Sequence, residues 1–349
     1  MTPVKTHHIV VAGAGGNTGS HLLPHLTRMA NVEKLTLVDP DIYEPANLSV
    51  QNIESRDVGR PKVEAQADKL RRINPSLEVI ALRQRIEDVP RAGLLCDLML
   101  SCLDSKASRQ NLNETAWRLT TPWFDCGVLG SQNLVRVNAY VPAQDSPCLE
   151  CGWGHDEYAT LEQEYLCGAG ARAFPTRSSS ALGALAASLM AIEVAKFLRD
   201  VSAVPLAGRQ LVLDAEHHII QMSSLRRNPW CRFDHRSWMI EPWNCRPEST
   251  TVGHALAELG CLRIEGHRFV AELICPGCSR RQDGLRLNRP LARCPECNRR
   301  MVTAGFGAMD RLDSTSINGS SHLTLAQIGL LPGDIVSCGT RHRRIVEAL

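Results

Sequence analysis

The sequence predicts an α/β protein with a doubly wound, mostly parallel, Rossmann-like sheet and structural zinc, followed by a small C-terminal α+β region that contains a zinc ribbon. Three observations carry this: a glycine-rich turn between an apolar run and a helical pattern near the N-terminus, strands alternating with helices over the first two-thirds of the chain, and six cysteines arranged as three C-x-x-C pairs. Alternating strands and helices imply a parallel sheet whose ligands bind at the carboxyl ends of the strands. The domain expectation is residues 1–239 for the α/β unit and 240–349 for the ribbon-containing one.

Composition sets the outer limits. With 349 residues, 44% of them hydrophobic, the chain can bury one large core and a smaller second one. A formal net charge of +2 points to no polyanionic partner. No stretch approaches ~18 uninterrupted apolar residues, and the N-terminus lacks a charged region leading into an apolar run, so neither a membrane span nor a signal peptide is expected. A cytoplasmic location follows as an expectation, and in that setting paired cysteines read as metal sites rather than disulfides.

In chain order, His8–Ala12 reads as a strand, Gly13-Ala14-Gly15-Gly16 as a tight turn, and Leu22, Leu23, Leu26 and Met29 as one helix face. Glycines let the backbone approach a phosphate, and the helix N-terminus favours negative charge. A strict G-x-G-x-x-G would place its third glycine at Thr18, so the loop reads either as a phosphate cradle or simply as a turn. Leu35–Asp39 is a second strand ending in an acid about 20 residues on, where a carboxylate holds ribose hydroxyls or caps the next turn. Asn47 to Asn52 is polar and irregular. Pro61 opens a helix to about Ile73, and Lys62 at its start opposes the helix dipole, which suits a lysine that meets a phosphate; a solvent-facing lysine is the alternative.

Leu77–Leu82 and Cys96–Cys102 read as further strands, the second of them buried and parallel. Asp104 follows it, placed to hold a magnesium ion or to cap the helix carrying Arg109. Pro122–Gly127 and Leu134–Val141 continue the sheet, with Asp125 and Cys126 read as strand residues without a chemical role. Cys148 and Cys151, with the distant Cys231 and His235, form a tetrahedral zinc ligand set. A redox pair would not need the second half. Cys167 lies in a loop rich in small residues ahead of an apolar, alanine-rich helix from about Ala181 to Leu198.

Taken together, GAGGNTGS, VDPD, NLSVQN, GRPKVE, DLMLSCLDS with Arg109–Asn113, SPCLEC and RNPWC resemble, in the family's order over about residues 7 to 235, the ubiquitin-activating-like adenylyltransferases that include ThiF and MoeB. The resemblance implies a homodimer that uses ATP and magnesium to adenylate the C-terminal glycine of a small β-grasp protein, either a ubiquitin-like modifier or a sulfur carrier. It places Gly13, Gly15 and Gly16 in the nucleotide loop and Asp39 on the ribose. Asn47, Gln51 and Lys62 would face the phosphates, and Asp104 the magnesium. Cys167 matches a cysteine that in some members carries the activated partner as a thioester, on its way to a conjugating enzyme or to sulfur chemistry; an inert loop cysteine is the alternative.

Three departures stand out. Val50 replaces an arginine, leaving Arg56, Arg60, a partner subunit or weakened catalysis to account for the missing cation. The glycine loop is one residue longer than G-x-G-G-x-G, and the second zinc pair is Cys231 with His235.

Beyond about Ile240 the resemblance ends. Thr251–Leu259 reads as a short helix and His267–Ile274 as a strand. Cys275, Cys278, Cys294 and Cys297 have the spacing of a zinc ribbon, whose metal supplies folding energy. Arginines from Arg280 to Arg300 surround it, but the absence of stacking aromatics disfavours nucleic acid. The tail from Leu323 reads as helix, turn and strand. Other readings of the whole chain are an adenylating enzyme for another carboxylate or for RNA, a nicotinamide-dependent oxidoreductase, which leaves Lys62 and Asp104 unexplained, and an ATP-binding scaffold weakened at Val50.

Overall fold

The structure, a computed structural model, describes residues 6–166, 178–200, 206–289, 292–305, 307–317 and 319–346. They form two compact units, one of residues 6–87 and 96–237 and the other of residues 88–95 and 238–346. Cys167 lies outside the described residues.

The first unit is built on β1 (His7–Ala12), α1 (Asn17–Leu26), β2 (Val32–Val38), α2 (Lys62–Ile73), β3 (Glu78–Leu82), β4 (Leu98–Ser101), α3 (Lys106–Arg118), β5 (Trp123–Leu129), β6 (Leu134–Tyr140), α4 (His155–Leu166), α5 (Ser180–Arg199), β7 (Arg209–Asp214) and β8 (Ile219–Ser224). The sheet runs β3-β2-β1-β4-β5-β6-β7-β8. Pairings from β3 through β5 are parallel, and β6, β7 and β8 add antiparallel strands. The sheet is therefore mixed rather than mostly parallel. A four-residue return from β5 through Gly130–Asn133 makes the change, because so short a link can close only a hairpin.

Strand order reverses between β1 and β4. Right-handed crossovers leading away from this point in opposite directions put helices on both faces and open a crevice at the carboxyl ends of the two strands. Alternate residues Ile9, Val11, Leu35, Leu37, Leu98, Leu100, Phe124 and Val137 form one core with Leu22, Leu26, Val63, Leu70, Met190 and Phe197 of α1, α2 and α5. Helix α5 is long and apolar enough to cross a membrane, yet it packs on α1, β5 and β6 as a core helix. Its N-cap Ser179 accepts the Leu182 N–H, and Lys196 and Arg199 complement the dipole at its end.

The second unit contains β9 (Ile240–Asn244), α6 (Val252–Leu259), β10 (Arg263–Ile264), β11 (Phe269–Ile274), β12 (Arg281–Leu287), β13 (Val302–Thr303), β14 (Ala308–Met309), β15 (Ile335–Cys338) and β16 (Arg341–Val346). One sheet is β10-β15-β16-β9; the other is β12-β11-β13, with β14 also on β11. Trp243, Val252, Phe269, Leu312, Ile328 and Ile345 share its core. Arg289 and Asp334 form a buried bidentate pair at 2.6 and 2.7 Å, and Cys261 is disulfide-bonded to Cys338. The tail helix read from the sequence is absent. Thr324 and Gln327 cap one another, but Gly329, at φ +89°, turns the chain after a single turn while Leu325, Ile328 and Leu330 are buried.

Candidate functional site

A cavity of about 790 Å³ opens where the strand order reverses, at the ends of β1 and β4. Gly13, at φ +74°, makes the turn after β1, and a Cβ there would lie 2.5 Å from the Cys102 carbonyl oxygen. A Cβ on Gly15 would lie 2.3 Å from that of Lys62, so the bare backbone lets the lysine cross the loop. Gly19, already on α1, does the work expected of the third glycine: its Cβ would lie 2.3 Å from the Gly13 carbonyl oxygen. The longer loop thus keeps its close helix–strand packing, shifted by one residue.

Asp39 is buried and accepts the N–H groups of Gly15, at 2.9 Å, and Asp41, at 3.1 Å. Burial raises its pKa, while the Lys62 charge and these backbone donors oppose the shift. Lys62 is 7% exposed, and its Nζ pairs with Asp41 at 3.1 Å. Tyr43, not singled out in the sequence, is buried beneath the loop: its hydroxyl donates to the Gly15 carbonyl oxygen and accepts from Gln66 Nε2. Burial pushes its phenol upward, which keeps the hydroxyl a donor. Asn17 ties the loop to the start of α5 through Ser178 Oγ and the Ser179 carbonyl, passing so close to Gly183 that no side chain fits there.

Gly13, Gly16, Asp39, Gln51, Lys62 and Asp104 all line the cavity. Gln51 Oε1 is buried with no hydrogen-bond partner among the described residues. Asp104 is exposed there. Asn47 is not in the lining, because its Oδ1 accepts the Glu44 N–H and caps a short 3₁₀ turn. Val50 does line the cavity, but neither proposed substitute for its missing charge reaches it: Arg56 pairs with Glu54, and Arg60 with Asp57 and Asp68.

Asp125, read from the sequence as a strand residue without a chemical role, does lie on β5, and it gathers a charged cluster there. Its carboxylate is fully buried and holds Ser101 Oγ at 2.7 Å, Arg109 Nε at 3.1 Å and Arg136 Nη2 at 2.6 Å. Both arginines line the cavity, as does Cys126. Burial works against the Arg136 charge, but Asp125 more than offsets it, and the guanidinium is held more firmly protonated than usual.

Away from the cavity, Cys148, Cys151, Cys231 and His235 converge, their ligand atoms all within 4.8 Å of one another. Nδ1 of His235 bonds the Phe233 carbonyl at 2.7 Å, which turns Nε2 toward Cys151 at 3.2 Å. Such a bond fixes the tautomer a metal needs. Cys275, Cys278, Cys294 and Cys297 converge equally closely. The two knuckles repeat one another: Cys275 N–H bonds the Arg280 carbonyl as Cys294 N–H bonds that of Arg299, and Ser279 and Asn298 both take positive φ. Both donor sets suit tetrahedral zinc in number and softness.

Comparison with known proteins agrees with this geometry. A family model described as the ThiF family matches residues 2–233. The molybdopterin-synthase adenylyltransferase of Escherichia coli is 29% identical over 234 residues, which cover 65% of this chain and 87% of the relative. The sulfur carrier protein ThiS adenylyltransferase of the same organism is 27% identical, covering 64% and 84%. Among solved structures, E. coli MccB with ATP superposes with a TM-score of 0.54 at 22% identity, covering 66% of this chain and 67% of that one.

Proposed function

The chain belongs to the ThiF family, and from that premise we propose that it is an ATP-dependent adenylyltransferase acting on the C-terminal glycine carboxylate of a small ubiquitin-like or sulfur-carrier protein. The relatives named as adenylyltransferases of molybdopterin synthase and of ThiS support this substrate class. One observation of the site carries the reading: Lys62 crosses the bare face of Gly15 into the same cavity that holds Asp39 and Asp104.

In this assignment the Gly13–Gly16 loop receives phosphate, with Lys62 and Gln51 beside it. Asp39, already fixed by two backbone N–H groups, has acceptor capacity left for ribose hydroxyls. Asp104, with no hydrogen bond or ion pair among the described residues, is the residue to hold a magnesium ion, which would supply charge neutralisation between phosphates. Attack of a carboxylate on the α-phosphate joins two anions, so fixed cations facing the cavity lower the barrier. The three cysteines with His235, and the four cysteines of the ribbon, would each hold a structural zinc. Homodimerisation and a thioester on Cys167 belong to the same proposal through the family resemblance, and a cytoplasmic location belongs to it through the sequence expectation given above.

A nicotinamide oxidoreductase would use the glycine loop and Asp39 but gives Lys62 and Asp104 nothing to do. ATP–pyrophosphate exchange stimulated by a cognate β-grasp protein tests the proposal. Saturable NADH binding with no exchange would sink it.

A further inference from the structure

The cavity has a second wall, formed by β5, β6 and β7, that the nucleotide assignment leaves unused. Val128, Leu129, Leu134 and Val212 make it apolar, and Arg136 is the charge set among them. On β6, Arg136 sits directly opposite Gly127 of β5 and Val212 of β7. A Cβ on Gly127 would lie 3.3 Å from Arg109 Nη2 and 3.6 Å from Arg136 Nη2, so both guanidinium groups lie over bare backbone.

The two arginines are not equivalent. Arg109 faces Asp125 through Nε and spends Nη2 on the carbonyls of Leu103 and Cys126, bridging the ends of β4 and β5. It is a structural brace. Its charge already balances that of Asp125. Arg136 uses only Nη2, toward Asp125, and its Nε and Nη1 have no partner among the described residues while a third of the side chain remains exposed. The cluster therefore presents one net positive charge and unspent planar donors to the cavity. A guanidinium held by a carboxylate on one edge and free on the other is preorganised for a second planar anion.

We propose that Arg136 binds the C-terminal carboxylate of the acyl substrate, with Asp125 as its positioning residue. This rests on the adenylation reading and adds to it a named substrate-recognition residue. The apolar neighbours suit the last residues of a peptide tail better than a polyphosphate, which the glycine loop and Lys62 already serve.

The test uses the full chain saturated with a non-hydrolysable ATP analogue and a synthetic decapeptide ending in Gly-Gly, as the free acid and as the C-terminal amide. Wild type is expected to prefer the acid by about tenfold or more. Arg136→Gln should lose that preference, and Arg136→Lys should keep part of it, with analogue affinity unchanged in both and each variant still folded at the assay temperature. An acid preference retained in Arg136→Gln, or none in wild type, overturns the proposal while leaving adenylation standing. Loss of analogue affinity in Arg136→Gln moves the arginine to the phosphates and overturns it too. A wild-type chain that does not bind the analogue sinks the adenylation reading itself.

Discussion

Gly15 and Lys62 fit only as a pair, since any side chain at Gly15 would occupy the space of the lysine's own Cβ. Gly15→Ala is expected to displace Lys62 and to weaken ATP binding by ~10- to 100-fold, the worth of a hydrogen bond to a charged group. Calorimetric titration reads this directly. Lys62→Ala, which leaves the loop intact, should instead lower the exchange rate by ~10²–10³. Wild-type ATP affinity in Gly15→Ala would contradict the pairing.

Asp39 should cost the fold stability at neutral pH. Burial raises its pKa above the ordinary 3.8, so between that value and the raised one the folded chain holds more protons than the unfolded. Stability falls as pH rises through this window, and the loss persists above it. Asp39→Asn keeps an acceptor for the Gly15 N–H without the charge. It should melt above wild type at pH 7, with the difference closing below pH 4, and bind ATP ~10-fold or more weakly. Melting curves at the two pH values decide it; an equal difference at both would be wrong for a titrating carboxylate.

Removing Asp125 should be far more damaging than removing Arg136. Asp125→Ala strands two guanidinium groups against the buried end of β5, at a cost of about 3–5 kcal/mol. Arg136→Gln leaves the Arg109 pairing in place and should cost much less. Urea unfolding of the two variants checks the order, and comparable losses would mean that the Asp125–Arg109 pair contributes nothing.

Each four-ligand set should carry one metal ion, with different consequences. Cys278→Ser and Cys151→Ser are each expected to release one zinc equivalent by elemental analysis, but only Cys151→Ser lies in the unit that carries the cavity and should impair ATP binding there. The ribbon gains folding energy of order ~10 kcal/mol from its ion. Retention of both equivalents in either variant would remove that quartet from the zinc assignment.

How far the sequence could be read depended on how local each signal was. Leu35–Val38 and Leu98–Ser101 are short, mostly apolar runs buried at every position, as strands covered on both faces are, and both were legible. The β7–β8 hairpin was not, because Ile219–Ser224 is exposed on both faces and shows no alternation. Glycine spacing revealed the loop, but its deviation at Thr18 made sense only once Gly19 was seen against the Gly13 carbonyl. Asp125 and Arg136 carried no signal as separate residues. Antiparallel register brings them together, and nothing in either strand announces that direction. Tyr43 was silent for the same reason, since its role depends on Gln66 from a different element.

The most direct test of the account is mass spectrometry of the candidate carrier after incubation with this protein, ATP and magnesium. Adenylation predicts a carrier heavier by one AMP at its C-terminal glycine, formed by wild type and not by Lys62→Ala. An unmodified carrier from a wild-type chain that binds ATP, across a panel of ubiquitin-like and sulfur-carrier proteins, would contradict the account.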